Sequence, residues 1–390
     1  MGQKRLEGRK ILYFAPCRWD AGVGGGGRLR NMLDVLAKLG ADVRLISYWT
    51  EEKSSLKHTQ VNPHLKATTV AVRKSAPKFF KLFSLGSVFW EGLRQVRGNS
   101  IIMAHAPSII SGFPALVMAG LFRKPLVIDL TDVKDPDTPL FIYNRVLRKA
   151  SVVLSVSRLL TQKAIEVGCR NVTAIPIIID CDVFKPDPSA RIETRAKLGI
   201  NESDIVIGYA GSFWSIEGLP FLLSAFAGLH AKYDNIKFVL VGGKNVPGSD
   251  DIPALARELN ITDRVILVPQ QPHDMMPKYL AAFDIACSPK IDCPENRAAS
   301  PIKIHEYMAM GLPVVISQIG EVAEIIENGV DGFLVRPGDE AELAAVLERM
   351  VQDPDAGRKI GAKAREKILR NYTLGAALGA VEEALKPALR

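Results

Sequence analysis

Lys303 and Glu306 stand three residues apart in the stretch Ser300-Pro301-Ile302-Lys303-Ile304-His305-Glu306-Tyr307-Met308-Ala309-Met310-Gly311-Leu312-Pro313-Val314-Val315. Serine followed by proline reads as an N-cap with proline in the first helical position, and Gly311-Leu312-Pro313 as a helix stop leading into a strand. A capping box would place Glu or Gln three residues after the cap, but that residue is Lys303, at the wrong end of the helix dipole. An anion bound at the N-terminus removes the conflict. Free backbone N–H groups, the positive end of the dipole and a lysine together suit a diphosphate, while Glu306, on the same face, can accept hydrogen bonds from a diol such as a ribose. The plain alternative is a solvated surface helix with a stray lysine.

A second chemical signal lies near the N-terminus. Gly22-Val23-Gly24-Gly25-Gly26-Gly27 follows an apolar run and opens a helix, so it satisfies the dinucleotide fingerprint G-x-G-x-x-G. A dehydrogenase would also need an acidic residue closing the second strand, and Glu51 and Glu52 come later than that spacing asks. The loop, with Gly24, Gly25, Gly26 and Gly27 at its centre, could equally let backbone approach a phosphate, with Arg28 and Arg30 adding charge. His105 ends an uncharged strand and reads either as a cleft residue or as a satisfied core histidine. Met308 and Met310 read as helix packing, and His230 and His273 as exposed helix residues.

The elements that must carry these residues alternate along the chain. Strands are expected at Lys10 to Ala15, Asp42 to Ser47, Ile101 to Ala104, Pro125 to Leu130, Ser151 to Ser155 and Val172 to Pro176, with helix-period stretches between them, including Arg28 to Leu39. That is the pattern of a parallel sheet covered on both faces. The proline-punctuated stretch Lys185-Pro186-Asp187-Pro188 breaks it, and strands then resume at Ile205 to Gly211, Lys237 to Gly242, Arg264 to Val268, Asp284 to Ser288, Pro313 to Ser317 and Gly332 to Val335. Two doubly wound α/β domains are expected, 1–185 and 186–372, with a final helix at about 373–390 packing back on the first.

A chain of 390 residues is long enough for two such cores, and 47% hydrophobic with 24% charged residues is a globular composition. The five cysteines are scattered without CxxC spacing, so neither a disulfide framework nor a zinc site is suggested. The apolar run Ile11 to Ala15 is too short for a signal peptide core, and a cytoplasmic location is expected. From Gly98 to Phe122 no residue is charged, a span long enough to cross a bilayer. It carries Asn99, His105, Pro107, Pro114 and three serines, however, and divides better into a strand, a turn and a buried helix from Phe113 to Phe122. The net charge of +8 is uneven: residues 1–185 carry +14 and the remainder −6. That asymmetry points to a polyanionic partner for the first half, an anionic membrane surface or an acidic acceptor; no nucleic-acid reading motif accompanies it.

At SPIKIHEYMAMGLPVV the chain resembles the nucleotide-sugar-binding motif of retaining GT-B glycosyltransferases of family 4. The similarity continues through GYAGSFWSIEGLPFLLSAF, FVLVGG, RVILVPQQPHDMMPKYLAAFDIACSP and ENGVDGFLVRPGD, and more loosely through PLVIDLTDV, SVVLSVS and IPIIIDCDVFKP. The resemblance implies the GT-B fold, two Rossmann-like domains facing across a cleft, with the donor held mainly by the second. It implies that Glu306 holds the ribose and that the backbone of Ser300, Pro301 and Ile302, with Lys303, meets the diphosphate and sugar. Gly211 and Ser212 fall where the family places its first phosphate contact. Three positions depart from the pattern. Ala298 stands for the first glutamate of a pair, with Glu295 out of register. Ser212 and Glu217 stand for a phosphate-clamping Arg and Lys, which leaves Lys303 and Arg297 as the replacement cations. Thr131, followed by Asp132, stands for a histidine, so Asp132, His105 and Lys303 are the catalytic candidates.

The reaction implied is sugar transfer from a nucleoside diphosphate to an acceptor hydroxyl with retention, in cell-surface polysaccharide or glycolipid synthesis. No metal or other cofactor is expected, because helix amides and Lys303 can neutralise the leaving diphosphate. The rivals are an NAD-dependent oxidoreductase, a non-catalytic nucleotide-sugar-binding subunit and an epimerase of the same architecture. The acceptor is expected to be an acidic or lipid-linked glycan. Residues 73–90 mix four cations with four Phe and one Trp, the two components of a reversible anchor to an anionic membrane, giving a peripheral association. The alternative is an amphipathic helix whose aromatics pack on the sheet.

Overall fold

A computed structural model of the protein describes residues 6–17, 25–51, 55–73, 78–131, 137–243 and 251–389, without side-chain detail at 25, 50, 51, 72, 73 and 78–84. The chain divides into two compact units, Met1–Ile178 with Leu374–Arg390, and Ile179–Thr373. The crossing thus falls ahead of the proline-punctuated stretch at 185–188 rather than within it. Ile179 bridges Thr373 and donates its N–H to the Tyr372 carbonyl at 2.7 Å, so the two passages of the chain lie side by side.

In the first unit the strands are β1 (Lys10–Ala15), β2 (Asp42–Glu51), β3 (Ser55–Asn62), β4 (Leu65–Arg73), β5 (Ile101–His105), β6 (Leu126–Leu130), β7 (Val152–Ser155) and β8 (Val172–Ala174). They form one sheet in the order β3-β4-β2-β1-β5-β6-β7-β8, parallel throughout except for the β3–β4 pair. The central strands are buried on both faces, which explains their unbroken apolar runs. Tyr13 and Phe14 point to opposite faces, as the period of two requires. Tyr13 joins the core made with helix Gly25–Lys38 and the C-terminal helix Leu374–Leu389. Phe14 meets Gly92 of helix Lys78–Gln95, where an added Cβ would lie 3.0 Å from its ring.

Three expectations are corrected here. Strand β2 runs on to Glu51, and β3–β4 form a hairpin beyond the expected strands. The residues of β3 are mostly exposed and polar, so no alternation marks them. Gly25, Gly26 and Gly27 form the first turn of a helix rather than a loop; Gly22 to Gly24 lie outside the described residues.

The second unit is a six-stranded parallel sheet of β9 (Ile205–Ser212), β10 (Ile236–Gly243), β11 (Val265–Val268), β12 (Ile285–Ser288), β13 (Val314–Ser317) and β14 (Phe333–Val335). Its order is β11-β10-β9-β12-β13-β14. From β9 the chain winds outward to β10 and β11, then returns to the other side of β9 for β12. The reversal places a switch point between β9 and β12, and in such sheets ligands bind outside the carboxyl ends of the strands at that crevice. No helix among the described residues is long and apolar enough to cross a membrane; the uncharged stretch folds as β5, a turn and helix Gly112–Leu121.

Candidate nucleotide-sugar site

Two helices lie between β12 and β13, Pro294–Ala298 and Ile302–Ala309, and the second carries Lys303 and Glu306. Its N-cap is Pro301, not Ser300, and no side chain caps it. Some helices of this unit receive a side-chain cap, Asp187 accepting from Ala190 N–H at 3.0 Å and Asp353 from Ala356 N–H at 2.9 Å, whereas others, such as Leu219–His230, do not. The helix at 302–309 therefore keeps first-turn N–H groups without a side-chain acceptor, and Lys303 is its second residue.

Lys303 does not reach into solvent. Its Nζ donates to Glu217 Oε2 at 2.7 Å and to the Tyr209 hydroxyl at 2.8 Å, and lies 4.5 Å from the centre of the Tyr209 ring. Gly211 makes the room, since a Cβ there would stand 2.7 Å from Lys303 Nζ. Burial pushes the Lys303 ammonium below its ordinary pKa, and Glu217 opposes that shift. Burial would raise the Glu217 carboxyl, but Lys303 and Lys290 overcome it and bring it down to about 2. Glu217 is thus a charged carboxylate shared by two lysines, Lys290 Nζ donating to Oε1 at 3.1 Å.

Glu306 is 7% exposed, and His273 Nε2 lies 2.6 Å from its Oε1. His273 is expected to be an exposed helix residue; it does open a short 3-10 helix after β11, but its side chain is only 21% exposed and lies beside the Phe184 ring. The next residue, Tyr307, exchanges hydrogen bonds with Ala210, accepting from its N–H at 2.7 Å and donating to its carbonyl at 3.0 Å, which ties the helix to the end of β9. Met308 and Met310 are buried, as expected of packing residues.

The structure brings Lys303 to Gly211 and Ser212 at the end of β9, with Ile302 and Glu306 on the same helix as Lys303, Pro301 at its N-cap and Ser300 just before it. Ser212 is exposed, and its carbonyl accepts from the Tyr209 hydroxyl at 2.7 Å. Arg297 does not join them: its guanidinium is 60% exposed and bonded twice to Asp292, at 2.6 and 2.8 Å. Ala298 is buried and Glu295 exposed, so neither supplies a second carboxylate beside Glu306. Sequence reasoning missed Glu217, Lys290 and His273. Glu217 counted only as a lost cation; the signal available was that all three follow the carboxyl end of a strand, at β9, β12 and β11.

In the first unit the structure gathers a different group. Asp129 on β6 is fully buried and accepts from Arg28 Nη2 at 2.7 Å and Nε at 3.1 Å, and from the Tyr13 hydroxyl at 3.3 Å. His105 on β5, its register partner, places Nδ1 3.1 Å from Asp129 Oδ2. Arg28 also donates to the carbonyls of Ile175 and Pro176, so it is a buried structural cation and not an exposed charge for a phosphate. His105 is 3% exposed with a satisfied Nδ1. Burial raises Asp129, but Arg28 and His105 outweigh it and leave it at about 2. Asp132 lies outside the described residues.

Residues 190–367 match the family described as glycosyl transferases group 1. A D-inositol 3-phosphate glycosyltransferase of Stackebrandtia nassauensis is 28% identical over 226 residues, 55% of this chain and 49% of the relative, so the chain spans about half the length of that protein. Among solved structures, the sucrose-phosphate synthase of Thermosynechococcus elongatus aligns with a TM-score of 0.78 at 20% identity, over 96% of this chain and 98% of its own. Anabaena HepE in complex with UDP-glucose aligns with a TM-score of 0.74 at 21% identity, over 96% and 99%. The two-unit Rossmann-like layout is that of GT-B glycosyltransferases.

Proposed function

We propose, from the match of residues 190–367 to the glycosyl transferases group 1 family, that this chain moves a sugar from a nucleoside diphosphate to an acceptor hydroxyl with retention of configuration. The observation that carries the reading is Lys303, held beside the uncapped N-terminus of helix 302–309 at the switch point of the second sheet. A diphosphate there receives backbone N–H donors and an ammonium group. As the bond from the sugar C1 to the diphosphate oxygen breaks, its electron pair goes to that oxygen, and charge already in place stabilises it better than in the ground state. The acceptor oxygen bonds to C1, and its proton passes to the departing diphosphate oxygen, so atoms and charge balance. Glu306, steadied by His273, is the acceptor for a ribose diol. The named ligand of HepE, UDP-glucose, supports a nucleotide-sugar donor.

Amides and lysines supply the charge that a bridging cation would otherwise bring, so turnover is expected to survive EDTA; loss with chelator and recovery with manganese or magnesium would show that the phosphate site has been misread. The donor reading itself is tested by a thermal-shift panel of UDP, GDP, ADP and NAD, because binding to the native state raises Tm by mass action. One nucleoside diphosphate should raise Tm, and Glu306→Ala should weaken its binding by about 1.5–3 kcal/mol. A shift with NAD alone would favour the oxidoreductase.

The first unit favours an acidic or lipid-linked acceptor near an anionic membrane. Trp90 (62% exposed), Leu121 and Phe141 (71% exposed) stand out on three helices packed one against the next, 78–95, 112–121 and 140–149. Arg94 is exposed beside them, whereas Phe89 packs edge-on against Phe113. Residues 74–77 of the basic segment lie outside the described residues. Exposed apolar side chains with cations around them suit a headgroup boundary. In liposome co-sedimentation the protein should bind anionic but not neutral vesicles at low salt, and replacing Lys74, Lys78 and Lys81 with Glu should release it. Indifference to anionic vesicles would point to a soluble acidic acceptor.

A further inference from the structure

Lys290 lies two residues past the end of β12, in the loop that forms one wall of the switch-point crevice. Glu217 belongs to the loop after β9, which forms the other. The two loops touch so closely that a Cβ on Gly218 would stand 2.0 Å from the Pro289 carbonyl oxygen, and Gly218 has φ +72°, so only glycine fits there. That contact sets Glu217 against Lys290. Asn296 completes the anchorage: it accepts from Lys290 Nζ at 2.8 Å and donates to the carbonyls of Ile216 and Ile291 at 2.8 and 2.9 Å. Lys290 and Lys303 are 12% and 14% exposed, and both rest on the single Glu217 carboxylate, 9% exposed.

Two ammonium groups sharing one nearly buried carboxylate are one anion short, and like charges held together out of water are costly unless a further anion arrives. The next carboxylate, Glu306, favours the Lys303 charge through space but bonds to His273 rather than to either ammonium. A diphosphate carries charge on both phosphoryl groups and can span two cations, whereas a monophosphate offers one. We propose that Lys290 is a second diphosphate-binding cation, paired with Lys303 across Glu217, and that this pair takes the place of a cation on the loop after β9. The proposal rests on the donor-site reading above.

Calorimetric titration with matched diphosphate and monophosphate nucleotides separates the two. With UDP and UMP, or the GDP/GMP or ADP/AMP pair if the panel prefers that base, Lys303→Met and Lys290→Met should each weaken the diphosphate at least about tenfold and leave the monophosphate nearly unchanged. If Lys303→Met has this effect and Lys290→Met does not, the role of Lys290 is overturned and the donor site stands. If neither variant changes diphosphate affinity, the donor-site reading falls and this inference with it. Should Lys290→Met fail to fold, Lys290→Arg and Lys290→Gln replace it: Arg must retain diphosphate affinity and Gln must lose it, and equal affinity in the two overturns the proposal.

Discussion

Both units place a buried carboxylate at the carboxyl ends of central parallel strands, yet the two clusters are built for different ends. Asp129 in the first unit is saturated: Arg28, Tyr13 and His105 surround it, and Arg28 spends its remaining donors on two backbone carbonyls. Glu217 in the second unit is oversubscribed, one carboxylate between two lysines beside a helix N-terminus that no side chain caps. A saturated cluster holds strands and a helix in register; on the proposed reading, the second keeps cationic charge for a diphosphate. The chemistry of the residues is alike, and what differs is the charge left over.

The largest effect expected from breaking this contrast is on stability. Asp129→Asn leaves Arg28 buried without its counter-charge and should cost about 3–5 kcal/mol, seen as an earlier unfolding transition in urea, while the Tm shift produced by a nucleoside diphosphate stays the same size. A smaller nucleotide shift in this variant would mean that the first cluster also serves the donor.

Lys303→Met should act the other way, losing about 1.5–3 kcal/mol of diphosphate binding with a smaller loss of stability, because Lys290 still partners Glu217. A stability loss equal to that of Asp129→Asn, with binding intact, would make the second cluster structural too.

Acid should weaken both clusters. Glu217 falls from its ordinary 4.5 to about 2 and Asp129 from 3.8 to about 2 in the folded protein. A carboxyl with a depressed folded pKa stabilises above its unfolded value and loses that contribution as pH falls through the folded one. Between about pH 4.5 and 2 the loss should reach about 3 kcal/mol for Glu217 and about 2 kcal/mol for Asp129. Equilibrium unfolding at stepped pH checks this: in Glu217→Gln the acid-dependent loss should shrink by the larger amount. At the small end, Arg297→Ala removes an exposed ion pair with Asp292 and should change stability and nucleotide affinity by less than about 0.5 kcal/mol; a larger loss of affinity would restore Arg297 to the site.

Local physics made much of this legible in the residues alone. Apolar runs bounded by turn residues located the six strands of the second sheet, and Gly311-Leu312-Pro313 marked the end of the helix carrying Lys303 and Glu306. Those features depend on neighbours in the chain, whose types are written side by side. The exposed polar strand β3 was illegible for the same reason in reverse, since an edge strand with little to bury shows no alternation. The partners of the charged groups were decided only by the tertiary structure. Lys303 meets a carboxylate 86 residues away, Glu306 a histidine 33 away, and Arg28 an aspartate 101 away. Sequence names the charges and places each at the end of a strand or helix. Which of them cancel, and which are left to attract a substrate, depends on how the sheet orders its strands and brings their loops together, because Coulomb energy follows distance in space and burial rather than position along the chain.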